Sequence, residues 1–156
     1  MALDPTAREA NYRDSMKKYI VDNIKVTEQI NLSFDKTINA PVLTSKNLRR
    51  WVVVNFGTLH RDHLSSAILD VYCCTRQDNE GFRLAQLTDI VVGYLTDNTG
   101  DGMKRITLYR SYPPPTAWDV IGGIVVQDIH ESSKLLAEDE TKYKLLTVLL
   151  RFASKI

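Results

Sequence analysis

Residues 65–95 read SSAILDVYCCTRQDNEGFRLAQLTDIVVGYL, and this stretch decides the fold. Its first part, residues 67–75, has the short, β-branched and aromatic character of a buried strand. A polar turn follows, Gln77-Asp78-Asn79-Glu80-Gly81. From Phe82 the spacing becomes helical: Leu84, Leu87, Val91 and Tyr94/Leu95 recur at three and four residues and share one side of a helix. A strand that turns tightly into a helix must fold that helix back onto its own sheet. The rest of the chain adds elements to this unit.

The chain has 156 residues, the length of one ordinary domain spanning 1–156. It is 44% hydrophobic and 25% charged, enough to bury a core. Lys plus Arg number 20 and Asp plus Glu 19, a formal net charge of +1. That balance argues against a dedicated nucleic-acid binder, which shows a clear basic excess or stripe. No apolar run approaches the ~18–20 residues of a membrane span. The start, MALDPTAREANYRD, lacks the basic and apolar regions of a signal peptide. Cys73 and Cys74 adjoin in a predicted strand, where neighbours point to opposite faces. They read as small core residues in a reducing compartment, so synthesis in a cytoplasm is expected.

Working outward, residues 4–23 are expected to form the first helix. Asp4 with Pro5, or a capping box from Thr6 to Glu9, can start it. Tyr12, Met16, Tyr19, Ile20 and Ile24 form its apolar stripe; Arg8, Arg13, Lys17 and Lys18 lie off it. Residues 25–34, KVTEQINLSF, alternate as a half-buried strand broken only by Glu28. Residues 35–50, DKTINAPVLTSKNLRR, show no period, and Pro41 stops a central strand. A connection of this length without structure is commonly functional or mobile. The expectation is a long projecting loop or arm carrying Lys36, Lys46, Arg49 and Arg50.

Residues 51–59 and 65–76 read as a strand hairpin around the turn His60-Arg61-Asp62-His63. After the central helix, residues 97–102 give a loop signal, 104–112 a strand, and Pro113-Pro114-Pro115 an extended segment. Residues 120–129 form a strand in which Gly122-Gly123 marks a bulge or a close backbone approach. A polar stretch, 132–142, is acidic at Glu138-Asp139-Glu140. Residues 143–155 are a closing strand with Leu146, Val148, Leu150 and Phe152 on its most apolar face. The sum is α+β: a mostly antiparallel sheet with an N-terminal and a central helix packed on it.

Chemical signals are weak. His60, Asp62 and His63 could supply part of a zinc site, but a polar turn explains them as well. Asp70 sits mid-strand, where nucleases place metal-holding carboxylates, yet no matching acidic-x-Lys pattern follows. Exposure or pairing with an arginine is the simpler expectation. Neither serine pair, 65–66 or 132–133, has a nucleophile-elbow context. Residues 97–102 fit neither a P-loop nor an EF-hand. No enzyme activity, cofactor or metal is expected. Basic residues at 36–50 and acidic ones at 138–140 could instead meet head-to-tail around a ring, or be two solvated loops.

Over residues 11–155 the sequence resembles the tail-terminator, or tail-completion, proteins of long-tailed bacteriophages. The resemblance rests on the amphipathic N-terminal helix, AILDVYCCTR, GFRLAQLTDIVVGYL, IGGIVVQDI and KLLTVLLRFASK. It implies a homohexameric ring on the end of a completed tail tube. That ring would stop tube polymerisation, offer a joint to the head connector, and pass DNA without binding it specifically. The protein would be assembled in the host cytoplasm and reside in the virion tail, without membrane contact. In this reading Lys36, Lys46, Arg49 and Arg50 meet a subunit or the tube, and Glu138, Asp139 and Glu140 lie at the lumen or an interface. Another neck or tail-tube component is the nearest alternative; a small metal-dependent enzyme or a nucleic-acid or peptide-binding module lies further off.

Overall fold

The closing strand β9, Lys142–Ser154, is the axis of the molecule. Leu146, Val148, Leu150 and Phe152 all point into the core, as their parity requires. In the computed structural model, which describes residues 2–5, 8–44, 47–97, 102–111, 118–137 and 140–155, β9 pairs antiparallel with β3, Ser65–Thr75, on one side. On its other side it pairs antiparallel with β7, Asp119–Glu131. Beyond β3 lies β2, Arg50–His60, and then β1, Asn31–Phe34, which runs parallel to β2. Beyond β7 lies β6, Arg105–Arg110. A two-residue strand β8, Leu135–Leu136, extends the sheet beside the start of β9. β4, Thr96–Asp97, and β5, Gly102–Met103, form a small separate hairpin.

Both long helices cover the same face. The first, α1, spans Glu9–Ile20 and continues as wider π-type turns over Val21–Thr27. The central helix α3 spans Phe82–Leu95 and buries Leu84, Leu87, Val91 and Leu95. Together they seal Val52, Leu69, Val71, Ile124 and Val148 of the sheet into one apolar core with Tyr12, Met16, Ile20 and Ile24.

Two sequence expectations change here. Residues 4–23 do not form one helix from Asp4. The Asp4 backbone N–H instead bonds to the Ser154 carbonyl (2.8 Å), its carboxylate pairs with Arg8, and the helix starts at Glu9. Thr6, the other expected start, lies outside the described residues. At the far end the helix runs on to Thr27, so only Asn31–Phe34 of the expected 25–34 strand is extended. Val26 is 65% exposed, and Glu28 leaves the alternation because it accepts a hydrogen bond from the Tyr94 hydroxyl (2.6 Å).

The projecting loop at 35–50 is also corrected. Because β1 and β2 run parallel, their connection has to cross the sheet rather than turn as a hairpin. It does so on the face opposite α1 and α3, through a short helix α2, Ala40–Thr44. Ile38, Val42 and Leu48 pack on Trp51, Val53 and Cys74, and the Trp51 indole N–H donates to the Ile38 carbonyl (2.8 Å). Trp51 is fully buried as a result. The described part of 35–50 is therefore a cover over one corner of the sheet.

Gly122 meets its expectation. A Cβ there would lie 2.0 Å from the Ala153 carbonyl oxygen, so β7 and β9 approach too closely for any side chain. The pairing of β7 with β6 also slips between Leu108 and Tyr109.

Candidate interaction surfaces

The turn after β3 is built around a buried carboxylate. Asp78 accepts from the backbone N–H groups of Arg83 (3.0 Å) and Leu84 (2.8 Å) and from the Thr75 hydroxyl (3.0 Å). The two N–H groups belong to the first turn of α3, where the helix itself supplies no acceptor, so Asp78 caps α3 from outside it. Burial pushes its pKa up, but the hydrogen bonds from Arg83, Leu84 and Thr75 outweigh this and hold it below the usual carboxylate value. The role is structural. Cys73 and Cys74 are buried thiols on opposite faces of the sheet, and burial pushes the Cys73 thiol up to about 12.

The remaining chemical candidates do not converge. His63 lies 3.4 Å from its neighbour Asp62, and His130 lies 3.0 Å from Asp128 on β7. Asp70 faces Asn55 on β2 and Thr147 on β9, with no arginine opposite it. Desolvation raises its pKa. Among the described residues, no group of three or more His, Cys, Asp or Glu side chains is arranged to hold a metal ion. Of the 97–101 loop, residues 98–101 lie outside the described residues, as does the Pro-rich segment within 112–117.

The expected contact residues separate into different places. Lys36 is exposed and lines a shallow depression of about 600 Å³ on the open sheet face with Ile38, Asn55, Tyr72 and Tyr143. Arg49 and Arg50 lie elsewhere, in a groove of about 570 Å³ beside β1, together with Lys25, Gln29 and Asn31. Sequence reasoning missed Lys25, because it assigned that residue to a strand. Lys46, Glu138 and Asp139 lie outside the described residues. Glu140 is exposed at a positive φ of 65° and donates its N–H to the Ala137 carbonyl (3.0 Å).

The sheet face away from α1 and α3 carries a row of cross-strand polar residues, Asn55, Asp70, Thr147 and His130. The Asn55 side-chain oxygen is buried without a hydrogen-bond partner among the described residues. Ile68, Leu145, Leu149 and Val125 flank this row and are half-buried. The two ends of the molecule also expose apolar side chains. Leu43, Phe82, Leu135 and Leu136 do so towards one end, and Leu64, Trp118 and Val120 towards the other.

No family model and no curated protein matches the chain. Among solved structures, one that carries only a sequence label and no functional name is similar to it. The two superpose with a TM-score of 0.57 at 10% identity, over 95% of this chain and 96% of that one. The likeness is one of fold: helices on a curled, mostly antiparallel sheet.

Proposed function

We propose that this chain is a tail terminator of a long-tailed phage: a structural protein that closes the tail tube as a homo-oligomeric ring and joins it to the head connector. The observation that carries the reading is the open sheet face. Antiparallel sheets often turn one face to water, but that face is then polar. Here Ile68, Leu145, Leu149 and Val125 lie on a face that α2 covers only at one corner. Half-buried apolar side chains on both sides of the polar row, on a face left largely uncovered, suit contact with another protein. The sequence resemblance, which runs through α1, β3, α3, β7 and β9 in order, supplies the kind of protein.

In this reading the partners are further copies of the chain, the tube protein and the connector, and the location is the virion tail. A near-neutral chain suits a ring through which DNA slides, because basic contacts supply most non-specific affinity for phosphates. The test is electron microscopy of tails assembled without the protein. Overlong tails, or tails without heads, support the reading; tails of normal length joined to heads reject it. Assembly of the purified protein into long helical polymers would favour a tube component instead.

A further inference from the structure

We infer that the open edge of β1, with the basic groove beside it, is a binding site for an extended acidic peptide segment of a partner protein, taken up as an added strand. The inference goes beyond the ring reading and does not depend on it.

The edge comes first. β1 is the outermost strand on its side of the sheet, and β2 is its one strand neighbour among the described residues. No hydrogen bond among the described residues joins the backbone of Asn31–Phe34 to any element other than β2. Alternate residues of the strand thus turn their N–H and C=O groups outward, a template for another extended chain. The edge is also fixed in advance. Gln29 stands at a positive φ of 57°, and the Ile30 N–H closes on the Ile24 carbonyl (3.0 Å), which ties the start of β1 to the π-type turns before it. A partner strand therefore meets a preformed edge, and little ordering cost falls on binding.

The groove supplies the charge. Ile30, buried, and Leu48, half-buried, give it an apolar floor, and Gln29, Asn31 and Asn47 add amides. Lys25, Arg49 and Arg50 bring three cations, and among the described residues no carboxylate lines the groove. Lys25 and Arg49 are exposed and Arg50 is half-buried. None of the three side chains has an ion pair or a hydrogen bond with a described residue. The acids nearest in sequence are engaged elsewhere: Asp22 with Lys18 at 2.8 Å, Glu28 with the Tyr94 hydroxyl at 2.6 Å, and Asp35 with Arg13. A half-buried guanidinium without a counter-charge carries a desolvation cost that an incoming carboxylate offsets.

Edge and groove select the ligand together. A phosphate chain would meet the cations and leave the β1 backbone unpaired. A neutral strand would pair with the backbone and leave the cations. An acidic extended segment uses both. Leu32 and Phe34 are partly buried against the main core from this edge strand, so apolar side chains alternating with the acidic ones would continue the core face outward.

The test uses the full chain and a fluorescein-labelled synthetic peptide of alternating glutamate and valine, about eight residues long so that it spans a strand. Fluorescence anisotropy should show saturable binding, and hydrogen exchange in residues 31–34 should slow in the complex. The double variant Arg49→Gln, Arg50→Gln should bind more than about tenfold more weakly, and Lys25→Gln alone should also weaken binding, each with native circular dichroism. A peptide of alternating glutamate and proline has the same charge but cannot pair as a strand, and it too should bind more than about tenfold more weakly. An oligothymidine of equal charge is the second control. If either control binds as tightly as the first peptide, or if exchange in residues 31–34 is unchanged, the site reads charge alone and strand addition is wrong. If the glutamine variants bind like the original chain, the groove is not the site. If the glutamate–valine peptide does not bind, the inference falls. Tail length judges the ring reading separately in every case.

Discussion

Ser15 on α1 holds both backbone groups of Tyr109 on β6: its Oγ accepts the Tyr109 N–H at 2.8 Å and donates to the Tyr109 carbonyl at 3.3 Å. One helical turn earlier, the Asn11 side-chain oxygen accepts the Ser111 N–H at 2.9 Å. Asn11 and Ser15 are both buried. Two polar residues four apart on a helix thus match two backbone amides two apart along an edge strand. The outer edge of β6 is thus satisfied within the chain at its C-terminal end, at Tyr109 and just beyond it at Ser111.

Ser15→Ala should therefore cost about 1–3 kcal/mol, because it leaves buried backbone groups without a partner. Urea denaturation measures the loss, and hydrogen exchange at the Tyr109 amide should accelerate in step. An unchanged midpoint would show that water replaces the hydroxyl without penalty.

Asp78 sets an acid limit on stability. Its carboxylate is held below its ordinary pKa in the folded chain. The stability it contributes is full above the unfolded value of about 4 and disappears as pH falls through the folded value. Asp78→Ala should destabilise the protein by about 2–3 kcal/mol at pH 7. The gap between this variant and the original chain should narrow on acidification below about pH 4. A gap that stays constant from pH 7 to pH 3 would contradict this.

Two glycines should respond with opposite signs. In Gly122→Ala the new methyl meets the Ala153 carbonyl at 2.0 Å and must force β7 from β9, costing about 3 kcal/mol or more. In Gly93→Ala it meets nothing within 4 Å on α3, and the change should stabilise by up to about 1 kcal/mol. Thermal unfolding of the two variants gives the comparison.

The cover over the sheet corner depends on one indole. Trp51→Phe keeps most of the apolar volume but removes the hydrogen bond to the Ile38 carbonyl. Hydrogen exchange in residues 38–44 should rise, while exchange in α3 stays unchanged. Equal exchange throughout would mean that packing of Ile38, Val42 and Leu48 holds the cover alone.

The parts of the fold legible in the sequence are those where one element buries one regular face. Leu84, Leu87, Val91 and Leu95 repeat at the helical period, and Leu146, Val148, Leu150 and Phe152 at the strand period, because each set meets a single core. Elsewhere the pattern misleads for physical reasons. Val26 keeps strand parity with Ile30, yet the helix widens into π-type turns and leaves Val26 in water. Residues 35–50 lack a period because their apolar residues meet the sheet through a turn, a short helix and a loop in succession. Asn11 and Ser15 give no signal in the sequence, because their partners are backbone groups about 100 residues away, which no local pattern reveals. The same limit governs the candidate surfaces. The charge of Arg49 and Arg50 is visible in the sequence, but the groove that brings them together with Lys25 exists only in the folded chain.

The most direct test of the central claim is the length distribution of tails in an extract that lacks this protein, measured by electron microscopy before and after adding the purified chain. Terminator function predicts overlong or headless tails beforehand, and normal length with head attachment after addition. Tails of normal length, already joined to heads before any protein is added, would contradict it.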